Sequence, residues 1–337
     1  MVNASISVIL PFRAAAETID AALAGLTAES DPAREILAID DGSTDGGAMR
    51  VRTWAARDPR VRLLANAGSG LVSALNTGLA CARGELIARM DADDIAHPER
   101  LSRQRTWLVA RPDIAVLGTC VRAVADDGNV GAGLLRYVAW QNAVLTPEQH
   151  ALSRFVESPL CHPSIMLRRA VLAETGGYRE LDGPEDYELF LRVVACGHRL
   201  AKLPEVLLHW RHREGRATFD DARYGLDKFR RVKAPYLAAV IHASARERVV
   251  LWGAGRTGRR LARELARNGV RIAMFIDIDP RKIGRTAQQA PICAPAALDV
   301  KRDLVIAAVG ARGARALIRA DLLRRGFCEG DNAWFAS

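Results

Sequence analysis

Three short runs in the first ninety residues are apolar or β-branched, and each stops on a turn rich in proline or carboxylates. Ser5 to Leu10 runs into Pro11, Ile36 to Ile39 into Asp40-Asp41-Gly42-Ser43, and Leu86 to Met90 into Asp91-Ala92-Asp93-Asp94. Runs of this length bounded by turn formers are the pattern of buried strands. Between them Ile19, Ala22, Leu23 and Leu26, and then Leu71, Leu75 and Leu79, recur at the spacing of a helix with one apolar face. The order strand, helix, strand, helix, strand predicts a parallel α/β sheet. Ligands of such sheets gather outside the carboxyl ends of the strands, where all three turns fall.

At 337 residues the chain exceeds what one hydrophobic core usually organises, so two domains are expected. With 49% apolar and 26% charged residues it has the balance of a soluble globular protein, which excludes disorder, collagen and coiled coil. Its longest charge-free apolar stretches, such as Ile114 to Val121 and Tyr236 to Ala245, fall short of the roughly 18 residues of a bilayer span. Met1-Val2-Asn3-Ala4-Ser5 carries no basic segment, and the apolar run behind it ends at Pro11-Phe12-Arg13, so no signal peptide is read and a cytoplasmic location is expected. The six cysteines, at 81, 120, 161, 196, 293 and 328, form no CxxC pair, which argues against a disulfide framework and a zinc site and for reduced thiols.

Residues 95–235 are less regular, with a Gly-rich stretch from Asp126 to Gly133 and a helix expected from Tyr187 to Ala195. A connector is expected at 236–247, separating a first domain, 1–235, from a second, 248–337. The second opens with a strand, Val249 to Trp252, then Gly253-Ala-Gly255-Arg-Thr-Gly258, a helix to Arg267, a strand from Ile272 to Ile276, and Asp277. A further strand-glycine-helix passage runs from Leu304 to Leu317 with Gly310 and Gly313 at its turn. Gly253, Gly255, Gly258 and Asp277 fit a dinucleotide fingerprint in context. Only about 90 residues are available, little more than one mononucleotide-binding half. The expectation is a small Rossmann-like accessory domain, with NAD(P) open as a ligand but not favoured. An NAD-dependent oxidoreductase or a nucleotide- or redox-sensing protein centred on Gly253 to Asp277 stands as the alternative function.

Charge divides along the same line. Residues 246–337 hold 18 of the 48 Lys and Arg but 9 of the 39 Asp and Glu, so the net +9 of the chain resides there. Solubility alone explains such an excess, and so does an anionic partner. Solubility is the first reading, and peripheral contact with an anionic membrane surface, at the inner membrane face, is the second; nucleic acid is not expected.

In Arg89-Met-Asp91-Ala-Asp93-Asp94, three carboxylates in four residues repel one another unless a cation or hydrogen-bond donors hold them. Hard oxygen ligands suit Mg²⁺ or Mn²⁺. The alternative is a solvated acidic turn capping a helix that begins near Pro98. Asp40-Asp41-Gly42-Ser43-Thr44-Asp45 is either a site for a base or ribose hydroxyl or a tight turn. Glu185-Asp186 opens its helix where the dipole favours carboxylates, with or without a function.

Taken in order, these pieces resemble the family 2 glycosyltransferases, whose fold is GT-A, across nearly all of residues 5–215. The resemblance runs through Ser7-Val-Ile-Leu-Pro11, Ile39-Asp-Asp-Gly-Ser-Thr-Asp45, Asn66-Ala-Gly68, Ala74-Leu-Asn76-Thr-Gly78 and Gly84-Glu-Leu-Ile-Ala-Arg-Met-Asp-Ala-Asp-Asp-Ile95 with Pro98 and Arg100-Leu101. It continues through His162-Pro-Ser-Ile-Met-Leu-Arg168, Gly176-Gly-Tyr178, Glu185-Asp-Tyr-Glu-Leu-Phe-Leu-Arg192 and Trp210-Arg-His212. It implies a nucleotide-diphospho-sugar transferase that inverts the sugar. The donor would be a nucleotide-sugar, UDP-linked by family frequency, and the acceptor a hydroxyl of a glycan, glycolipid or related molecule. It also implies Asp186 as general base, Asp40 or Asp41 at the nucleobase, Asp91 near the ribose, and Asp93, with Asp91, on Mn²⁺ or Mg²⁺. Pro11, Gly68 and Asn76 fall in the donor-binding segments. His212 is either a metal or phosphate contact or a satisfied histidine. Arg13-Ala14 stands where many members carry Tyr-Asn, and Leu75 where an arginine is frequent, which leaves the nucleobase and sugar preference open. Trp210, Tyr187 and Trp140 either stack on an acceptor sugar or pack in the interior.

Overall fold

The computed structural model describes residues 4–29, 33–212 and 222–337. The chain divides into two compact units, Met1–His150 with Pro159–Ala222, and Ala151–Ser158 with Arg223–Ser337. Residues 223–235, which the sequence assigns to the end of the first domain, cluster with the second unit.

In chain order, the elements from the first strand up to the second unit's long helix are β1 (Ile6–Phe12), α1 (Ile19–Thr27), β2 (Glu35–Asp40), α2 (Gly47–Arg57), β3 (Val61–Ala65), α3 (Gly70–Cys81), β4 (Leu86–Arg89), β5 (Ile95–Ala96), α4 (Arg100–Ala110), β6 (Ile114–Ala125), α5 (Ala132–Asn142), α6 (Pro147–Ser153), β7 (Met166–Arg168), α7 (Arg169–Thr175), α8 (Glu185–Ala195) and β8 (Arg199–His212). The eight strands form one sheet in the order β3-β2-β1-β4-β7-β6-β8-β5. β3, β2, β1 and β4 are mutually parallel, and β7 runs antiparallel to β4 and β6. The strands alternate cleanly between two apolar layers, as the two-residue period of a sheet requires. Val8, Leu10, Ile36 and Ala38 pack with Ile19 and Leu23 of α1, whereas Ile9, Leu37 and Ile39 pack with Val72 and Leu75 of α3 and Phe190 of α8.

Before residue 95 the structure holds one strand and one helix beyond those the sequence implies. The sequence implies three strands before residue 95, and the structure inserts α2 and β3 between the second and third of them. α2 buries only Gly47 and Val51, too few positions to show a helical period, and β3 is an edge strand whose Arg62 reaches Glu35 at 2.5 Å. Glu35 lies at the amino end of β2 and also accepts from the Ser7 hydroxyl and the Arg83 N–H, each at 2.7 Å. The polar knot closes the end of the sheet opposite the acidic turns.

Chain order sets the position of the site. β1, β2 and β3 are laid down in one direction and β4 on the other side of β1, so the switch point lies between β1 and β4, where a crevice opens at the carboxyl ends. Arg13, Asp40, Asp41, Asn66 and the turn from Met90 to Asp94 all leave strands at that edge.

The second unit contains α9 (Leu226–Ala243), β9 (Arg248–Trp252), α10 (Arg256–Arg267), β10 (Ile272–Ile276), β11 (Thr286–Ala287), β12 (Ala290–Cys293), β13 (Asp303–Ala307), α11 (Ala314–Arg324) and β14 (Ala333–Phe335). Its sheet has the order β11-β12-β10-β9-β13-β14, parallel apart from β11. This is a Rossmann-like half. Where the sequence suggests a connector at 236–247, α9 continues to Ala243 and buries Leu237, Ala238 and Ile241. Lys233 of α9 is buried, and its ammonium donates to the carbonyls of Phe155 (2.7 Å), Val156 (3.0 Å) and Ala336 (3.2 Å). That explains why residues 151–158 belong to this unit. No helix among the described residues is long and apolar enough to cross a membrane.

Candidate active site

The loop after β2 is built by its own carboxylates. Asp40 Oδ1 accepts the Ser43 N–H at 2.9 Å, and Asp45 receives the N–H groups of Ala16 (2.7 Å) and Gly47 (3.0 Å), tying the loop after β1 to the start of α2. Asp41 Oδ1 accepts from Asn66 Nδ2 at 2.6 Å and from the Gly70 N–H at 2.9 Å, while Oδ2 faces the Arg13 guanidinium at 3.8 Å. Asn66 Oδ1 in turn receives the Gly68 N–H and the Ser73 hydroxyl. Pro11 is buried in β1 opposite Ile39. A side chain at Gly68 would meet the Ser73 hydroxyl at 2.6 Å. Asn76 is committed elsewhere: its amide donates to the Tyr178 carbonyl at 2.9 Å and accepts the Tyr178 N–H at 3.0 Å.

The turn after β4 carries the densest charge. Asp91, Asp93 and Asp94 each bring one oxygen within 4.8 Å of the others, the arrangement of hard donors that suits Mg²⁺ or Mn²⁺. Asp94 is fully buried and accepts the Arg211 backbone N–H at 2.8 Å, which anchors the turn to β8. Asp91 and Asp93 remain partly exposed. The turn is also held from below. Arg100, buried in the first turn of α4, donates to the Arg89 carbonyl at 2.5 Å and to Gln104 at 3.2 Å; Gln104 donates onward to the carbonyls of Leu117 and Ser164. Burial lowers the Arg100 guanidinium to about 10.

Arg89 joins this turn to a second acidic group. Its side chain is buried and pairs with Asp91 at 2.6 Å, and its Nε and Nη1 have no hydrogen-bond partner among the described residues. Asp186, at the start of α8, is pushed up to about 7 by burial and then by the neighbouring Glu185 carboxylate. The Tyr187 N–H, donated to Asp186 Oδ1 at 2.7 Å, and the Arg89 charge pull it back down. Asp91 and Asp186 therefore lie within electrostatic reach of one buried cation. Beside them Tyr178 Oη meets His162 Nε2 at 2.7 Å, and Glu185 stands 3.9 Å from His162 Nδ1. Burial, then the Arg89 charge, holds the His162 pKa well below its ordinary value, so the ring is neutral. Burial raises the Tyr178 hydroxyl, which stays protonated. A carboxyl poised near neutrality, within the field of the guanidinium that pairs with Asp91, is a group able to exchange protons near pH 7.

A glycosyl transferase family 2 model matches residues 7–176, half of the chain. The chain belongs to glycosyl transferase family 2. It is 31% identical over 193 residues to the amylovoran biosynthesis glycosyltransferase AmsE of Erwinia amylovora, a match covering 57% of this chain and 70% of that one. Among solved structures it resembles S. aureus TarS 1–349 in complex with UDP-GlcNAc, with a TM-score of 0.57 and 19% identity over 78% of this chain and 71% of that one. It also resembles the mannosyltransferase PcManGT of Pyrobaculum calidifontis in complex with GDP-Man and Mn²⁺, with a TM-score of 0.51 and 22% identity over 72% of this chain and 65% of that one. At those identities the two structures establish the shared GT-A fold. A CoA binding domain model matches residues 244–321.

In this family 2 glycosyltransferase some expected residues fall outside the cluster. His212 is buried against Trp210, ring centroids 4.4 Å apart, and is not one of the mutually close carboxylate group. Tyr187 is fully buried and Trp210 nearly so, so neither presents a ring face for stacking, and the interior-packing reading is the one that holds for them. Trp140 is part-exposed and sits 5.9 Å from Tyr137. The sequence assigns no role to Arg89, His162, Tyr178 or Asn66, and to Glu185 only a place at the start of its helix, although each lies in a family motif. An arginine ending a buried strand directly before the acidic turn was the available clue for Arg89.

In the second unit Gly258 lets α10 meet the loop after β9, since a Cβ there would lie 1.8 Å from the Gly253 carbonyl oxygen. Gly253 has φ of +124°, a conformation glycine tolerates. Asp277 accepts the Ala254 N–H at 3.1 Å, the Asp279 N–H at 3.0 Å and the Lys282 ammonium at 2.9 Å. The Lys282 ammonium and the Ala254 N–H both fall on Oδ2, and Oδ1 receives only the Asp279 N–H.

Proposed function

We propose that this glycosyltransferase moves a sugar, with inversion and with a divalent metal, from a nucleotide-sugar to a hydroxyl of a glycan or glycolipid. A UDP-sugar is the favoured donor. The carrying observation is the Asp186 carboxyl, poised about 7 within reach of the same guanidinium that pairs with Asp91. Asp186 takes the proton of the acceptor hydroxyl as that oxygen forms its bond to the anomeric carbon and the bond to the diphosphate breaks. One displacement from the face opposite the leaving group inverts the centre. Asp91 and Asp93 would hold Mn²⁺ or Mg²⁺, whose chemistry there is to neutralise the departing diphosphate. Arg89 and Arg100 fix the turn on which those carboxylates ride. Asp40 and Asp41 would receive the nucleobase through their Oδ2 atoms, with Arg13 beside Asp41 supplying a charge that the Tyr-Asn pair of many relatives lacks.

Support for the donor class and metal comes from the complexes of the two structural neighbours, one with UDP-GlcNAc and one with GDP-Man and Mn²⁺. Relatives such as the amylovoran enzyme support an acceptor among bacterial polysaccharides. For residues 248–337 we infer an accessory domain whose Gly-rich turns take an anionic ligand, a reading favoured by the match to the CoA binding domain model. The test is a screen of nucleotide sugars with Mn²⁺ for donor hydrolysis and transfer, alongside an NAD titration. Metal-dependent turnover that is lost in Asp93→Ala, with a product of inverted anomeric configuration by NMR, is the expected result. NAD binding without turnover of any nucleotide sugar overturns it.

A further inference from the structure

Five of the 18 Lys and Arg of residues 246–337 line one helix face. α10 buries Gly258, Leu261, Ala262 and Leu265, and turns Arg256, Arg259, Arg260, Arg263 and Arg267 to solvent. At 100° per residue those five guanidiniums fall within about 100° of arc, one straight stripe along three turns. Its acidic complement is small. Glu264, the sole carboxylate on the helix, pairs with Arg267 at 2.8 Å, and Asp227 reaches Arg260 at 3.4 Å. Arg256, Arg259 and Arg263 have no acidic partner among the described residues. Like charges three and four residues apart weaken a helix, so the stripe opposes the folding of the element that carries it.

The surface continues onto α9, which packs along α10. Asp227 pairs with both Arg230 and Arg260, and this places the first turn of α9 beside the stripe. That turn presents Leu226, 72% exposed. An arginine row with an apolar side chain at its margin matches a headgroup plane, where guanidiniums take phosphate oxygens in pairs and an aliphatic side chain enters the acyl boundary.

Other anionic partners fit less well. Single-stranded nucleic acid is gripped by stacking on exposed aromatic rings, and Trp252, Phe275, Phe327, Trp334 and Phe335, every aromatic residue of 246–337, are buried. A protein interface centres on apolar anchors depleted of charge, whereas the middle of this face is arginine. A second copy would present the same positive row.

We propose that the solvent face of α10, with the first turn of α9, docks on an anionic lipid bilayer. The proposal is independent of the chemistry assigned to the transfer site. The test floats the full-length protein with phosphatidylcholine vesicles and with vesicles in which about a third of the lipid is phosphatidylglycerol. Wild type is expected to float with the anionic vesicles only, and less as salt is raised. The triple change Arg259→Gln, Arg263→Gln and Arg267→Gln, at solvent-facing positions, is expected to weaken partitioning by roughly a hundredfold while donor turnover stays at the wild-type rate. Leu226→Ser is expected to give a smaller loss on the same vesicles. Equal partitioning of the triple variant and wild type, flotation with neutral vesicles, no flotation at all, or tighter binding of a single-stranded oligonucleotide than of anionic vesicles at the same salt would each overturn it.

Discussion

Replacing Glu185 with Gln keeps the shape of the residue and removes the charge beside Asp186. In the native protein burial first, then Glu185, pushes Asp186 up to about 7. A base must be ionised to accept a proton, so kcat/KM should rise with pH up to about 7 and level off above it. With that midpoint about a tenth of the carboxyl is ionised at pH 6 and about nine-tenths at pH 8, a change near tenfold. Glu185→Gln removes the second cause and leaves burial, so the midpoint should move toward about 6 without returning to the ordinary carboxylate range. At pH 6 the variant should then run about fivefold faster than wild type relative to its own plateau. The assay is the rate of sugar transfer at limiting donor from pH 5.5 to 8.5. Asp186 titrates together with a neighbouring group, so the observed midpoint belongs to the interacting groups and not to Asp186 alone. A profile flat across pH 6 to 8, or a midpoint that rises or stays put in Glu185→Gln, would refute the reasoning.

Asp186→Asn should also change stability, and the sign follows from the raised carboxyl. The native state holds its proton to higher pH than the unfolded chain, so this contribution is present at acid pH and lost as pH rises through about 7. The variant should therefore gain on wild type between about pH 4 and 7 and keep a constant advantage, on the order of 4 kcal/mol, at higher pH, measured by urea unfolding. Arg100→Met removes the donors to the Arg89 carbonyl and Gln104 and should cost about 3 kcal/mol by the same measurement. Asn76→Ala should cost about 1–3 kcal/mol through the lost Tyr178 bonds, while the Kd for donor stays within a few-fold of wild type. Gly258→Ala must push α10 off the Gly253 carbonyl and should cost about 3 kcal/mol, visible as a lowered Tm. Chelation with EDTA should abolish turnover, and added Mn²⁺ should restore it.

Strands buried on both faces were legible because β1, β2 and β4 are largely apolar runs followed by Arg13, Asp40-Asp41 and Asp91, although β1 continues through Pro11 to Phe12. β3 and α2 were not, because an edge strand containing Arg62 and a helix with Gly47 and Val51 as its buried contacts carry almost no periodic pattern. The acidic turn and Asp186 were legible as carboxylates at a strand end and a helix start. What no local pattern could reveal is the pairing between distant segments. The Arg89 charge acting on Asp186 while its guanidinium pairs with Asp91, and Asp94 spent on Arg211, are products of tertiary packing. Asn76 shows the converse, a motif residue whose side chain is occupied in holding the backbone of Tyr178. In the second unit the glycines were legible from their spacing, but the commitment of Asp277 to Lys282 depends on the turn after β10.

The division of labour between Asp186 and the acidic turn is tested most directly by measuring donor affinity and transfer on the same Asp186→Asn protein. Calorimetric titration of nucleotide-sugar in Mn²⁺ should give a Kd close to wild type, and single-turnover transfer to acceptor should fall by about a thousandfold. Transfer at the wild-type rate, or loss of donor binding in parallel with the loss of rate, would contradict the account.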